Sequence, residues 1–235
     1  TRSSPNGRCT TNDRARRYGS FFNQVCGYTV QTNTKYSGMN SITAPASTRR
    51  IVAGSGSADQ DITSSDTFTL NLIDQAVEMA RTGSNMVMPI RIGGAKKYVM
   101  YLHEYQVTSL RTNSASGQWL DIQKAALSGG ADSKSPIYTG ALGEYNSVIL
   151  RRSQDVTQGV NGSTGAAITT VRRAVLLGRQ AAVCAYGTKY SGGKYKWNEE
   201  LLDHKERLEV SAASVWGMKK TIFNSADQGV IVVSS

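Results

Sequence analysis

A chain of 235 residues, 39% hydrophobic and 19% charged, is long enough to bury a substantial core and too apolar for an intrinsically disordered protein. No apolar run approaches the roughly 18 residues of a bilayer-crossing helix, and no secretory-type hydrophobic segment opens the sequence. The formal charge of +10 favours polyanionic partners through counterion release at phosphates, with a merely solvated basic surface as the plain alternative. The sequence begins at Thr1 rather than at a methionine and so reads as processed, truncated or part of a longer product. Residues 1–60 hold eight basic side chains against Asp13 and Asp59, more than half of the surplus. Cys9, Cys26 and Cys184 fall at no metal-ligand spacing and suggest neither a disulfide framework nor a zinc site. Cys26 and Cys184 sit in apolar company and read as small buried hydrophobes, which implies a reducing compartment.

In chain order, Arg14 to Cys26 predicts the end of an amphipathic helix, with Tyr18, Phe21, Phe22 and Val25 on one face and Gly27 where a helix-ending glycine belongs. Residues 28–62, rich in Thr, Ser, Gly and Asn, read as a long surface excursion, either a flexible loop or an interaction arm that orders on contact. A second helix is expected over 65–82, opened by Ser65 or Asp66 as cap, with an inward stripe of Leu70, Ile73, Ala76, Val77 and Ala80 and a stop at Gly83. Met86–Ile92 and Tyr98–Leu102 read as strands around a Gly93-Gly94 turn. Trp119–Leu127 predicts a short helix. Val148–Leu150 predicts a strand whose exposed end carries Arg151 and Arg152. Residues 157–167 read as a Gly/Ser/Thr loop. Val171–Tyr186, rich in small and aliphatic residues, predicts a helix packed tightly at Gly178. The tail alternates through Leu208, Val210 and Ala212 and ends in a strand at Gly229–Val233. Helices and strands mix without regular alternation, which argues for an α+β fold.

Catalytic signatures are hard to find. His103, in a half-buried strand context, reads as a satisfied structural histidine, and His103-Glu104 lacks the second histidine that a zinc helix requires. No G-x-S-x-G elbow offers a nucleophile. Gly192-Gly193-Lys194 lacks the spacing of a phosphate loop, and Asp59 and Asp61 bring too few further oxygens for calcium. No catalytic, metal or cofactor residue is therefore assigned, and an enzyme is not expected. The basic pairs Lys96-Lys97, Arg151-Arg152, Arg172-Arg173 and Lys219-Lys220 each read as a solvated element end, or jointly as a face for phosphates or acidic neighbours. No sequence-reading nucleic-acid motif is present, which leaves a sequence-independent basic nucleic-acid-binding protein as the second reading.

Several segments together resemble one family. They are FFNQVCG (Phe21 to Gly27), SSDTFTLNLIDQAVEMA (Ser64 to Ala80), YVMYLHEYQVTSLR (Tyr98 to Arg111), TGALGEYNSVIL (Thr139 to Leu150), LLGRQAAVCAYG (Leu176 to Gly187) and GMKKTIFNSADQGVIVV (Gly217 to Val233). In order and over nearly the whole chain, they are similar to the major capsid proteins of short-tailed phages with the Hong Kong 97-type fold. Thr139, Gly140, Gly143, Tyr145 and Asn146 would form the axial-domain signature, with Ser147 standing where a glycine is expected. The resemblance implies a peripheral part at 1–99 (spine-helix end 11–27, long loop 28–62, second helix 65–82). It also implies an axial domain at 100–192, return strands at 193–235, and an N-terminal arm and E-loop absent from this chain.

What the resemblance implies for function is a shell subunit that forms hexamers and pentamers of an icosahedral head around double-stranded DNA. It would be found in the virion, after assembly in the host cytoplasm. Portal, decoration or minor capsid proteins would be further partners, and no membrane would be involved. Arg14, Arg16 and Arg17 are the candidate DNA-facing residues, and Arg49, Arg50, Arg151 and Arg152 the candidate inter-subunit contacts.

Overall fold

The computed structural model describes residues 19–30, 40–83, 85–113, 115, 118, 143–187, 195–204 and 206–235. Its centre is a mixed eight-stranded sheet built from β1 (Arg50–Val52), β2 (Ile90–Ile92), β3 (Ala95–Leu102), β4 (Glu144–Tyr145), β5 (Val148–Arg152), β6 (Gln158–Val160), β7 (Ala167–Leu177) and, last in the chain, a strand at Val230–Ser234. That last strand lies parallel to β1 and antiparallel to β7. Next, β3 runs antiparallel to β7 and parallel to β5. Strands of all three segments expected from the sequence share this sheet, and the boundary between residues 99 and 100 falls inside β3.

Alternation along these strands sorts the core onto two faces, as period-two geometry requires. Ala174, Leu176, Ile231, Val233, Met100 and Leu102 join one cluster, together with the buried stripes of α2 (Leu70–Thr82) and α3 (Glu104–Thr112). Val175, Leu177, Val230 and Val232 join the other, with Phe22 and Val25 of the first helix, α1 (19–25), and Cys26 just after it. There the Phe22 ring stands edge-on to Tyr101, with centroids 5.4 Å apart. The layers are thus α1, sheet, then α2 with α3, which confirms the α+β class.

Smaller ribbons complete the chain. β8 (Ala182–Tyr186) pairs with β11 (Trp216–Lys220), β9 (Lys196–Leu202) with β10 (Arg207–Ala213), and β12 (Ile222–Phe223) with β13 (Ala226–Asp227), all antiparallel. The closing strand at Val230–Ser234 is β14.

Several expectations need correction. Val171–Tyr186 is not a helix but the end of β7, a turn, and β8. A fully covered central strand is apolar on both faces, and periodicity cannot tell it from a buried helix. Gly178 is closely packed, but just past the end of β7 rather than in a helix against a sheet: a Cβ there would meet Val87 Cγ1 and, at 2.6 Å, the Met88 carbonyl oxygen. The second helix starts at Leu70 rather than 65. Asp66 instead closes a turn, accepting from the Thr63 N–H at 2.9 Å, while all five expected stripe residues of α2 are buried. The segment 28–62 is not wholly a surface excursion, because it contains β1 and the buried Ile51, Ala53 and Asp59. The first of the two strands expected around Gly93-Gly94 is reduced to β2. His103, read in a strand context, instead caps α3, which follows β3 directly. Cys26 is buried as expected, but Cys184 is exposed. The Trp119–Leu127 helix lies outside the described residues.

Candidate functional site

Two buried ion pairs fasten the Thr-rich segment after α1 to the body. Asp59, fully buried, sits in a short 3-10 turn (Asp59–Asp61). Its Oδ1 accepts from Arg50 Nη2 at 2.7 Å, and its Oδ2 accepts from Arg173 Nε at 2.7 Å and the Val160 N–H at 2.9 Å. Arg173 also donates through Nη1 to the Cys26 and Gly27 carbonyls at the end of α1, at 3.2 and 2.8 Å. Burial pushes the Asp59 carboxyl up, but Arg173, the Val160 N–H and Arg50 together hold it below the usual carboxylate range. Lys220 and Asp227 form the second pair at 2.8 Å. Lys220 Nζ donates to the Thr43 and Ala44 carbonyls, each at 3.3 Å, and Asp227 accepts from the Ala46 N–H at 3.2 Å.

These contacts decide the fate of several expected residues. Arg173 and Lys220 are interior, so two of the basic pairs are not wholly solvated element ends. Arg49 is buried at 2% exposure, its Nη1 without a hydrogen-bond partner among the described residues. Arg50 is spent on Asp59. Arg151 and Arg152 are exposed at the end of β5, as expected. Arg152 borders a shallow depression of about 280 Å³ with Phe21, Phe22 and Tyr101, and its Nε lies 3.9 Å from Glu104 Oε1. Arg14, Arg16 and Arg17 lie outside the described residues, as do Thr139 and Gly140.

The remaining signature residues form a working joint. Tyr145 ends β4, and Asn146 and Ser147 turn the chain into β5 with φ of 45° and 62°, a left-handed pair that suits a tight hairpin. The Tyr145 hydroxyl donates to Asp74 Oδ2 at 3.0 Å, and Asn146 Nδ2 donates to Asp74 Oδ1 at 2.9 Å. A single carboxylate on α2 thus carries the hairpin. Asp74 was missed from sequence, although its position on the outer side of a strongly striped helix marks it as a free acceptor.

Enzyme-like chemistry gathers nowhere among the described residues. His103 Nδ1 accepts from the Tyr105 N–H at 3.3 Å while the His103 N–H donates to Gln106 Oε1 at 3.1 Å, a reciprocal cap that starts α3. Burial and the nearby Arg172 push its pKa down. Asp59 and Asp61, the weak calcium candidates, are both engaged: Asp61 accepts from the Ser57 and Ala58 N–H groups at 3.0 and 2.9 Å.

What is conspicuous is the surface. The β9–β10 ribbon is exposed along nearly its whole length, and Met86, Met88 and Ile92 stand exposed around β2. Both segments present apolar side chains at the surface beside charged ones. Residues 10–235 match the family model described as phage capsid protein, and the chain belongs to that family. It is similar to the capsid of Ralstonia phage GP4, with 30% identity and a TM-score of 0.70, over 94% of this chain and 63% of that one. It shares its fold with the capsid asymmetric unit of cyanophage Pam1, at 17% identity and TM-score 0.65 over 95% of this chain and 63% of that one. The acidic stable capsid of Helicobacter pylori bacteriophage KHP30 is similar at 15% identity and TM-score 0.56, over 94% and 66%. This chain therefore spans 63% of the length of the first two capsid chains. No curated protein matches it.

Proposed function

We propose that the chain is the main part of a major capsid subunit that self-assembles into the hexamers and pentamers of an icosahedral phage head. The observation that carries this reading is the family match over 10–235, joined to a TM-score of 0.70 with a phage capsid. The reading takes the fold as the Hong Kong 97 type. Residues 1–99 and 193–235 then supply peripheral parts and 100–192 the axial part, around a shared sheet.

Physically, a shell needs heterologous contacts that close into rings. Each can be weak because many act at once. A subunit held rigid by buried ion pairs and edged with exposed ribbons meets that need. Arg151 and Arg152 remain the accessible contact candidates. Arg50 contributes by tying the segment that reaches the sheet edge at β1 to Asp59, and Arg49 is buried beside it. The +10 charge fits an inner face against packaged double-stranded DNA bound without sequence reading, with Arg14, Arg16 and Arg17 as its candidates. Portal and decoration or minor capsid proteins complete the partners of this reading, with assembly in the host cytoplasm. A free nucleic-acid-binding protein is favoured by the charge alone.

Negative-stain electron microscopy of the nuclease-treated protein tests the reading. Rings of five and six or closed shells support it, and a uniform field of single subunits refutes it.

A further inference from the structure

We propose that the β9–β10 ribbon of one copy docks on the Met86–Lys97 hairpin of the next, forming a heterologous contact that repeats around the ring. The inference rests on the shell reading and names one of its interfaces. Register places Trp197, Glu199 and Leu201 opposite Ala212, Val210 and Leu208. The same face of the ribbon therefore carries five apolar side chains around one carboxylate, while the other face carries polar neighbours such as Asn198, Glu200 and Glu209. This is an amphipathic ribbon whose apolar face nothing covers among the described residues: Trp197 is 62% exposed, Leu201 55% and Leu208 63%. A two-stranded hairpin alone is marginal in water, and an apolar patch of this kind marks an interaction site.

The occupant is argued from charge and shape. Between 195 and 213 the chain holds five carboxylates and three basic residues, an acidic ribbon on a strongly basic chain. Between 86 and 97 it holds Arg91, Lys96 and Lys97 and no acid; Lys97 is paired with Glu144 within the same copy, which leaves Arg91 and Lys96 as the basic border. In that second segment Ile90–Ile92 pairs with Ala95–Lys97 as a short hairpin, and Met86 and Met88, in the stretch leading into it, stand 59% and 57% exposed beside Ile92 at 41%. Each ribbon offers an apolar strip, and their borders carry opposite charge. Among the described residues of one copy both strips stay uncovered. Opposite rim charges steer two partners into register, and the apolar strips supply the burial. A patch that fits a different patch on the same molecule produces head-to-tail association, which closes into rings.

The test is charge reversal with rescue, read together with hydrogen exchange. Glu199→Arg with Glu200→Arg on the ribbon, or Arg91→Glu with Lys96→Glu on the hairpin, should each lower the assembled fraction at least tenfold. All four changes together should restore most of it. All sites are exposed, and circular dichroism should show an unchanged fold. Amides of 196–213 and 86–97 should both gain protection when wild-type monomer assembles. Assembly with either segment unprotected, single-side variants that assemble like wild type, or both segments already protected in the monomer would overturn the docking while leaving the shell reading intact. A wild-type protein that never assembles overturns the shell reading, and the docking with it.

Discussion

Arg173 on β7 places Nη2 2.6 Å from Asp59 Oδ2, with side chains 4% and 0% exposed. The pair joins β7, β6 and the 3-10 turn, and through the Cys26 and Gly27 carbonyls it reaches the end of α1. Removing one member leaves a buried charge without its counter-ion. Asp59→Asn should therefore destabilise the subunit by about 3–5 kcal/mol, read as a lower urea midpoint at unchanged slope. The double change Asp59→Leu with Arg173→Met should recover only part of the loss, because it removes both charges but leaves the Val160 N–H and the Cys26 and Gly27 carbonyls without these side-chain partners.

The same pair sets an acid limit. The folded Asp59 carboxyl lies below its unfolded value of about 4, so the unfolded chain binds the proton more readily. The resulting stability is complete above about pH 4 and is lost as pH falls through the folded value. Thermal melts from pH 7 to pH 2 should show a steep acid limb in the wild type, and Asp59→Asn should flatten it.

Ser147 holds a φ of 62°, a conformation that costs a side-chain-bearing residue about 1 kcal/mol. Its carbonyl still accepts from the Tyr98 N–H at 2.9 Å, and glycine keeps that bond. Ser147→Gly should raise stability by about 0.5–1 kcal/mol. Tyr145→Phe, which deletes the donor to Asp74, should lower it by about 0.5–1.5 kcal/mol. Denaturant unfolding of the two variants separates the signs.

Gly178 lies where a methyl group would strike the Met88 carbonyl and Val87. Gly178→Ala should cost about 1–3 kcal/mol by overpacking, seen as a fall in melting temperature.

How much of this was legible in the sequence depends on the element. The α2 stripe, from Leu70 to Ala80, was plain because a helix between sheet and solvent shows a 3.6-residue period. Ser147, standing where a glycine is expected, was no guide to the turn, which Asn146 and Ser147 make at positive φ all the same. β7 was illegible as a strand because both its faces are covered and its alternation is erased. Asp59 could not be recognised as buried from a Ser/Gly-rich stretch, since its partner Arg173 lies 114 residues away and only the fold brings them together. α3 left a faint mark in the His103-to-Gln106 cap, obscured by the β3 pattern running straight into it.

The central claim is self-contact. Sedimentation velocity of the nuclease-treated protein over a concentration series tests it most directly. The account predicts a concentration-dependent shift from single subunits to discrete pentameric, hexameric or larger closed species. A single 25.3 kDa species at every concentration would contradict it.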